Sequence, residues 1–291
     1  MAEPNLLAES RIAILGLGLM GGSLAMALKG QCTQTFGIDP DPLAVAYAQK
    51  HKIVDLAVEY PHDVLPRADI IILAAPVGGI LKLIQSLPEL HPGKAIVLDI
   101  GSTKAVIVRE MEKLPSRFDP LGGHPMCGKE KLSINHAEAG LFKEATFAFT
   151  PCENTSKNAH LFAEHLVRVL GASSLWLDAD THDLWTAATS HFPYLAATAL
   201  TLATPTESAP LAGPGFRSTT RIAATPASMM LDIFATNQIN IIESLDLFRA
   251  QIDQIRELLH NNDLDSLKII FERSVLHREQ IIPEESRTEP P

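Results

Sequence analysis

Four groups of residues in this chain have types and spacings that suit chemistry better than packing. ILGLGLMGGSLA sets Gly16, Gly18 and Gly21 in a GxGxxG pattern, with Leu19 and Met20 inside it. DIGSTK (99–104) carries Ser102, and GGHPMCGKEK (122–131) holds His124 between a glycine pair and Pro125. GPGFRSTTRIAAT (213–225) offers Arg217 and Arg221 four residues apart. A glycine loop suits a pyrophosphate, an imidazole moves a proton, and paired guanidinium groups hold carboxylates. Together they suggest acid–base work on an anionic substrate beside a nucleotide.

A bare GxGxxG is weak evidence, but here it follows the strand-like RIAIL and opens a helical pattern. Gly16 suits the tight turn, Gly18 the approach of a pyrophosphate, and Gly21 close packing of helix on strand. Asp39 ends a second strand, eighteen residues past Gly21. An acid there hydrogen-bonds the adenosine ribose and repels a 2′-phosphate, so NAD is expected rather than NADP. Pro76, Val77 and Gly78, after a third apolar strand, are expected to line the same cleft. The bland alternative is a glycine turn in another α/β fold.

The other three groups have bland readings too. Ser102 either approaches the nicotinamide or caps a helix. Pro125 and the glycines predict a loop around His124, which favours a site residue over a core one. Arg217 and Arg221 share a face if helical, as a carboxylate fork or as a solvated surface. Cys127 reads as a small packing residue. His160 and His165 are five apart, and no histidine has zinc spacing, so no metal is expected.

The elements that must position these groups fall in two blocks. Continuous apolar runs at RIAIL, TFGID, ADIIILAAP and KAIVLDIG alternate with helical patterns, as in a parallel sheet covered on both faces. ATFAFTP, a helix around NAHLFAEHLVRVLG, and SSLWLD continue the theme. After Asp178 the patterns are helical, broken by a Pro/Gly-rich stretch at 205–216. The expected fold is α/β: a Rossmann-type dinucleotide-binding domain over 1–178, an all-α domain over 179–281, and a disordered tail, 282–291. The net charge of −10 argues against nucleic acid or an anionic membrane as partner. The start lacks a signal-peptide pattern, the longest apolar run is too short to span a bilayer, and Cys32, Cys127 and Cys152 form no disulfide framework. A cytoplasmic protein is expected. Apolar stripes over 232–278 predict a homodimer through the C-terminal helices.

With these motifs in place, the chain resembles the prephenate/arogenate dehydrogenase family of tyrosine biosynthesis over nearly its whole length. GLGLMGGSLA, LAAPVGGI, DIGSTK, GGHPMCGKEK, THDLWTAATSHFPY and GFRSTTRIA carry the resemblance. It implies oxidative decarboxylation of a cyclohexadienol by NAD and a dimerising helical domain. It also implies that His124 bonds the substrate ring hydroxyl with help from Ser102. Arg221 then binds a substrate carboxylate, with Arg217 before it, and His182 and His191 lie near the pocket. The chain departs from the family pattern at Tyr194, often histidine, and at Ser218, often an acid. Without an acid at 218 to pair an ammonium, prephenate is the expected substrate and arogenate the alternative. Two more distant readings are a β-hydroxyacid dehydrogenase, whose helix-borne lysine pattern is missing, and a non-catalytic NAD-binding regulator. The regulator predicts loss of the serine, histidine or arginine positions, and all are present.

Overall fold

The computed structural model describes residues 5–129, 131 and 133–282. The remainder of the expected disordered tail, 283–291, lies outside the described residues. The strands are β1 (Arg11–Leu15), β2 (Gln34–Ile38), β3 (Leu56–Val58), β4 (Ile70–Leu73), β5 (Ala95–Asp99), β6 (Phe118–Pro125), β7 (Thr146–Pro151) and β8 (Ser173–Trp176). The first helices are α1 (Leu6–Glu9), α2 (Leu19–Leu28), α3 (Pro42–Lys50), α4 (Val77–Leu90), α5 (Ala105–Met111) and α6 (Lys157–Leu170). They are followed by α7 (Ala179–Thr186), α8 (Phe192–Ala203), α9 (Pro214–Thr220), α10 (Ala227–Thr236), α11 (Gln238–His260) and α12 (Leu264–Ile281). By internal packing the chain divides into two compact units, one ending at Ile241 and the other starting at Ile242.

The sheet lies in the first unit, with strand order β3-β2-β1-β4-β5-β6-β7-β8. All neighbours are parallel except β6 and β7. Continuous apolar strands arise because both faces are covered. Ile12, Ile14, Ile70 and Ile72 join Phe162 and Leu166 of α6 in one core. The residues between them, Ala13, Leu15, Ile71 and Leu73, join Ile80 and Ile84 of α4 and Ile107 of α5 in the other. The chain order reverses between β1 and β4, so their carboxyl ends open the crevice where such sheets bind ligands. Among the described residues no strand follows β8.

Two expectations change here. The stretch around His124 is not a loop: Gly122, Gly123 and His124 lie within β6, opposite Thr150, Phe149 and Ala148 of β7. The glycines serve close packing instead. A Cβ on Gly122 would meet Thr150 Oγ1 at 2.2 Å, and one on Gly123 would meet Asp99 O at 2.9 Å. The helical patterns after Asp178 break not only at 205–216 but also at Asn237, between α10 and α11. That asparagine is buried and its side chain is engaged elsewhere.

The second unit consists of α12 and the rest of α11. Between them they expose Leu247, Ile252, Leu259, Ile269, Phe271 and Leu276.

Candidate active site

The glycine loop is built as a cradle. Gly16 has φ +106, and a Cβ there would lie 2.4 Å from Ala74 O at the end of β4. A Cβ on Gly21 would lie 1.9 Å from Gly16 O, so α2 packs directly on the loop. Gly18 is the N-cap of α2 and supplies no side-chain cap. The first-turn N–H groups of Leu19, Met20 and Gly21 therefore face outward from a helix start suited to an anion. Asp39 braces the loop, accepting from Leu17 N (2.6 Å) and Asp41 N (2.8 Å). Each carboxylate oxygen keeps a second acceptor site for a ribose hydroxyl. Pro76 is the N-cap of α4 and Val77 its buried first residue. This helix start is taken: Asp232 of α10 accepts from Gly78 N at 3.1 Å.

On the other side of the β4–β5 region, residues from distant parts of the chain converge. At the end of β5, buried Asp99 pairs with buried Lys104, whose Nζ also donates to Gly123 O at 2.7 Å. Gly101 N (2.8 Å) and Gly123 N (3.3 Å) donate to the same carboxylate. Burial pushes the Asp99 carboxyl up and the Lys104 ammonium down, and each charge opposes the shift of the other. This buried pair pins β6 to the end of β5 one residue before His124.

His124 is half-buried, and its Nδ1 lies 2.9 Å from Nε2 of His182. His182 is buried in α7, with Nδ1 2.8 Å from Asp183 Oδ1. Asp183 also accepts from Lys104 N (2.7 Å) and Ala105 N (2.9 Å), thereby capping α5. Ser102 is therefore not the cap of α5, since the carboxylate from α7 holds that place; Ser102 sits half-buried between β5 and α5. Desolvation of the ring, then the proximity of His182, Lys104 and His191, holds His124 well below the ordinary histidine value of 6.5. The imidazole is neutral at neutral pH and able to accept a proton.

A wide π-type turn, Ala187–His191, brings His191 inward after α7. Asn237 Nδ2 donates to Asp183 O (2.7 Å) and lies 3.2 Å from His191 Nδ1. An amide nitrogen only donates, so His191 Nδ1 accepts and its proton sits on Nε2. That buried Nε2 has no partner among the described residues. Burial pushes His191 down to about 4, so it remains a neutral donor.

The remaining expected residues lie in α8, in α9 and in the 3-10 turn that follows α9. Tyr194 is half-buried, its ring 5.9 Å from that of Phe234. Arg217 is exposed and donates from Nε to Ala212 O at 3.2 Å. The two arginines do not share one continuous α-helix: α9 stops at Thr220, and exposed Arg221 starts a 3-10 turn. Ser218 is exposed and turns its hydroxyl onto Gly215 O at 3.0 Å. Sequence reasoning passed over Asp99, Lys104, Asp183, Asp232 and Asn237. Three of them stood inside the DIGSTK and THDLW motifs, whereas nothing marked Asp232 or Asn237.

Two domain families of known proteins match the chain in succession. Residues 24–175 match the prephenate dehydrogenase nucleotide-binding domain family, and residues 178–273 the prephenate dehydrogenase dimerization domain family. A prephenate dehydrogenase of Bacillus subtilis is 34% identical, covering 93% of this chain and 76% of its own length. Among solved structures, prephenate dehydrogenase from A. aeolicus in complex with hydroxyphenyl propionate and NAD+ superposes with TM-score 0.87. It is 26% identical, over 94% of this chain and 99% of that one. Synechocystis arogenate dehydrogenase gives TM-score 0.81 at 27% identity, over 94% and 100% of the two chains.

Proposed function

Because the chain belongs to the prephenate dehydrogenase family, we propose that it oxidatively decarboxylates prephenate with NAD. The observation that carries the reading is a neutral, half-buried imidazole, His124, held at the sheet's carboxyl edge beside a dinucleotide cradle. The cradle fits NAD: the strained Gly16 turn leaves no room for a side chain, α2 starts without a cap, and Asp39 offers oxygens to a ribose diol. In this reading Gly16, Gly18, Leu19, Met20, Gly21, Asp39, Pro76, Val77 and Ser102 line the cofactor. Bound NAD supplies the acceptor for the hydride from the ring carbon that bears the hydroxyl.

The protein's own groups handle the proton and the carboxylates. His124 takes the hydroxyl proton as the C4–H electron pair leaves and a carbonyl forms. The C1–carboxylate bond then breaks, its pair enters the ring, and CO2 departs. The phenolate oxygen recovers the proton from His124, so no net proton is consumed. Ser102 assists at the hydroxyl. Arg221 and Arg217 attract the carboxylates of a dianionic substrate to a chain of net charge −10. His191 offers to the same substrate its Nε2–H, which has no partner among the described residues, and His182, Tyr194 and Ser218 complete its surroundings.

Prephenate is favoured over arogenate because the side chain at 218 is a hydroxyl already bonded to Gly215 O, with no carboxylate there to meet an ammonium. The functional boundary is placed near residue 178, supported by family matches that end at 175 and begin at 178. The compact units divide later because α7 packs on α5, and α10 on α4. Exposed apolar side chains on α11 and α12 support a homodimer through these helices. A cytoplasmic location accords with three cysteines kept as thiols. Among the described residues, no helix is long and apolar enough to cross a membrane.

The test is a matrix of prephenate and arogenate against NAD and NADP, read as NADH or NADPH formation. Prephenate with NAD is expected to give the highest kcat/KM. Higher kcat/KM with arogenate would overturn the substrate assignment, and no turnover by folded protein would favour the regulator.

A further inference from the structure

The tautomer of His124 decides whether it can act at all. A neutral histidine has one N–H and one lone pair, and a base needs the lone pair on the nitrogen that faces the substrate. Nδ1 is committed to His182, which leaves Nε2 as the only nitrogen available. In water a neutral histidine prefers its proton on Nε2, the wrong arrangement for this site.

The contacts behind His124 correct that preference. Backbone N–H groups of Lys104 and Ala105 only donate, so both oxygens of Asp183 act as acceptors. His182 Nδ1 faces one of those oxygens and must carry its proton. When His182 holds that one proton only, its lone pair is on Nε2 and it can only accept there. His124 Nδ1 must then donate, and Nε2 is left bare. We propose that His182 and Asp183 are positioning residues, which hold His124 in the Nδ1–H tautomer and thereby direct its lone pair at the substrate hydroxyl. When Nε2 gains a proton, the His124–His182 bond becomes charge-assisted, with the Asp183 carboxylate behind it. Neither residue touches the reacting atoms; both act through His124. The inference rests on the reading of His124 as the base, and its test separates the two.

Heteronuclear NMR of protein with labelled histidine ring nitrogens reads the tautomer without any turnover. The His124 signals are identified by their loss in His124→Asn. The wild type is expected to show His124 protonated on Nδ1 and bare on Nε2. In His182→Phe, which removes the acceptor, the proton is expected to move to Nε2. Its kcat should fall about 10²-fold, with little change in KM for prephenate. His182→Gln keeps an acceptor oxygen and should retain the Nδ1–H form and recover part of the rate. A wild-type His124 protonated on Nε2 overturns the relay, as does His182→Phe with unchanged tautomer and kcat. Should His182→Phe not fold, the wild-type tautomer alone decides between these outcomes. The base assignment is judged apart: His124→Asn should lose about 10²–10⁴-fold in kcat. Normal turnover there sinks that reading whatever the tautomer.

Discussion

The cofactor cradle and the histidine cluster stand on the same sheet but are built by opposite means. Gly16, Gly18, Gly21 and Asp39 lie within one strand–helix–strand unit, and the loop is braced by contacts such as Leu17 N to Asp39. The cluster draws Asp99 from β5, Lys104 from the start of α5, His124 from β6, His182 and Asp183 from α7, and Asn237 from the break between α10 and α11. A site made locally depends on backbone conformation. One made from distant pieces depends on buried polar bonds that must all form together, and the burial they enforce then lowers the pKa of His124.

That contrast separates the effects of two substitutions. Lys104→Met is expected to have the larger effect, because it leaves the Asp99 carboxylate buried without a counter-charge. Breaking such a pair costs about 3–5 kcal/mol of stability, and the loss should appear as a lower denaturation midpoint together with lost turnover. A variant that keeps its midpoint would mean that the pair does not assemble the cluster. Asp39→Ser touches only the local site. It should narrow the preference for NAD over NADP by about tenfold, on the order of one hydrogen bond to a charged group, with a smaller change in midpoint. An unchanged preference would remove Asp39 from nucleotide selection, and a midpoint loss matching that of Lys104→Met would erase the distinction between the two regions.

The same contrast explains what could be read in advance. β1 coincides with RIAIL, and α2 begins inside the glycine motif, because apolar runs, glycines and helix starts act over a few residues. The sequence marks His124 as a candidate site residue but does not disclose its surroundings. Glycine and proline density suggested a loop, whereas Gly122 and Gly123 are small so that β6 can approach Thr150 and Asp99. β3, three residues long, was too short for periodicity to register. Asp183 resembles any acid near a helix start until α7 is placed against α5, and Asn237 resembles a helix interior until its amide is seen bridging Asp183 O and His191. Partners brought together only by the tertiary fold leave no local periodicity to detect.

The central claim is that a neutral imidazole, kept neutral by its buried setting, accepts the substrate proton. The pH dependence of kcat/KM for prephenate oxidation tests it most directly, because that ratio reports ionisation of the free enzyme. His124 is held below the ordinary value of 6.5 by desolvation first, then by His182, Lys104 and His191. A base works only when deprotonated, so kcat/KM should rise through a pKa below 6.5 and be level by neutral pH. An acid limb centred at or above 6.5, or a rate that falls as pH rises through the neutral range, would contradict the account.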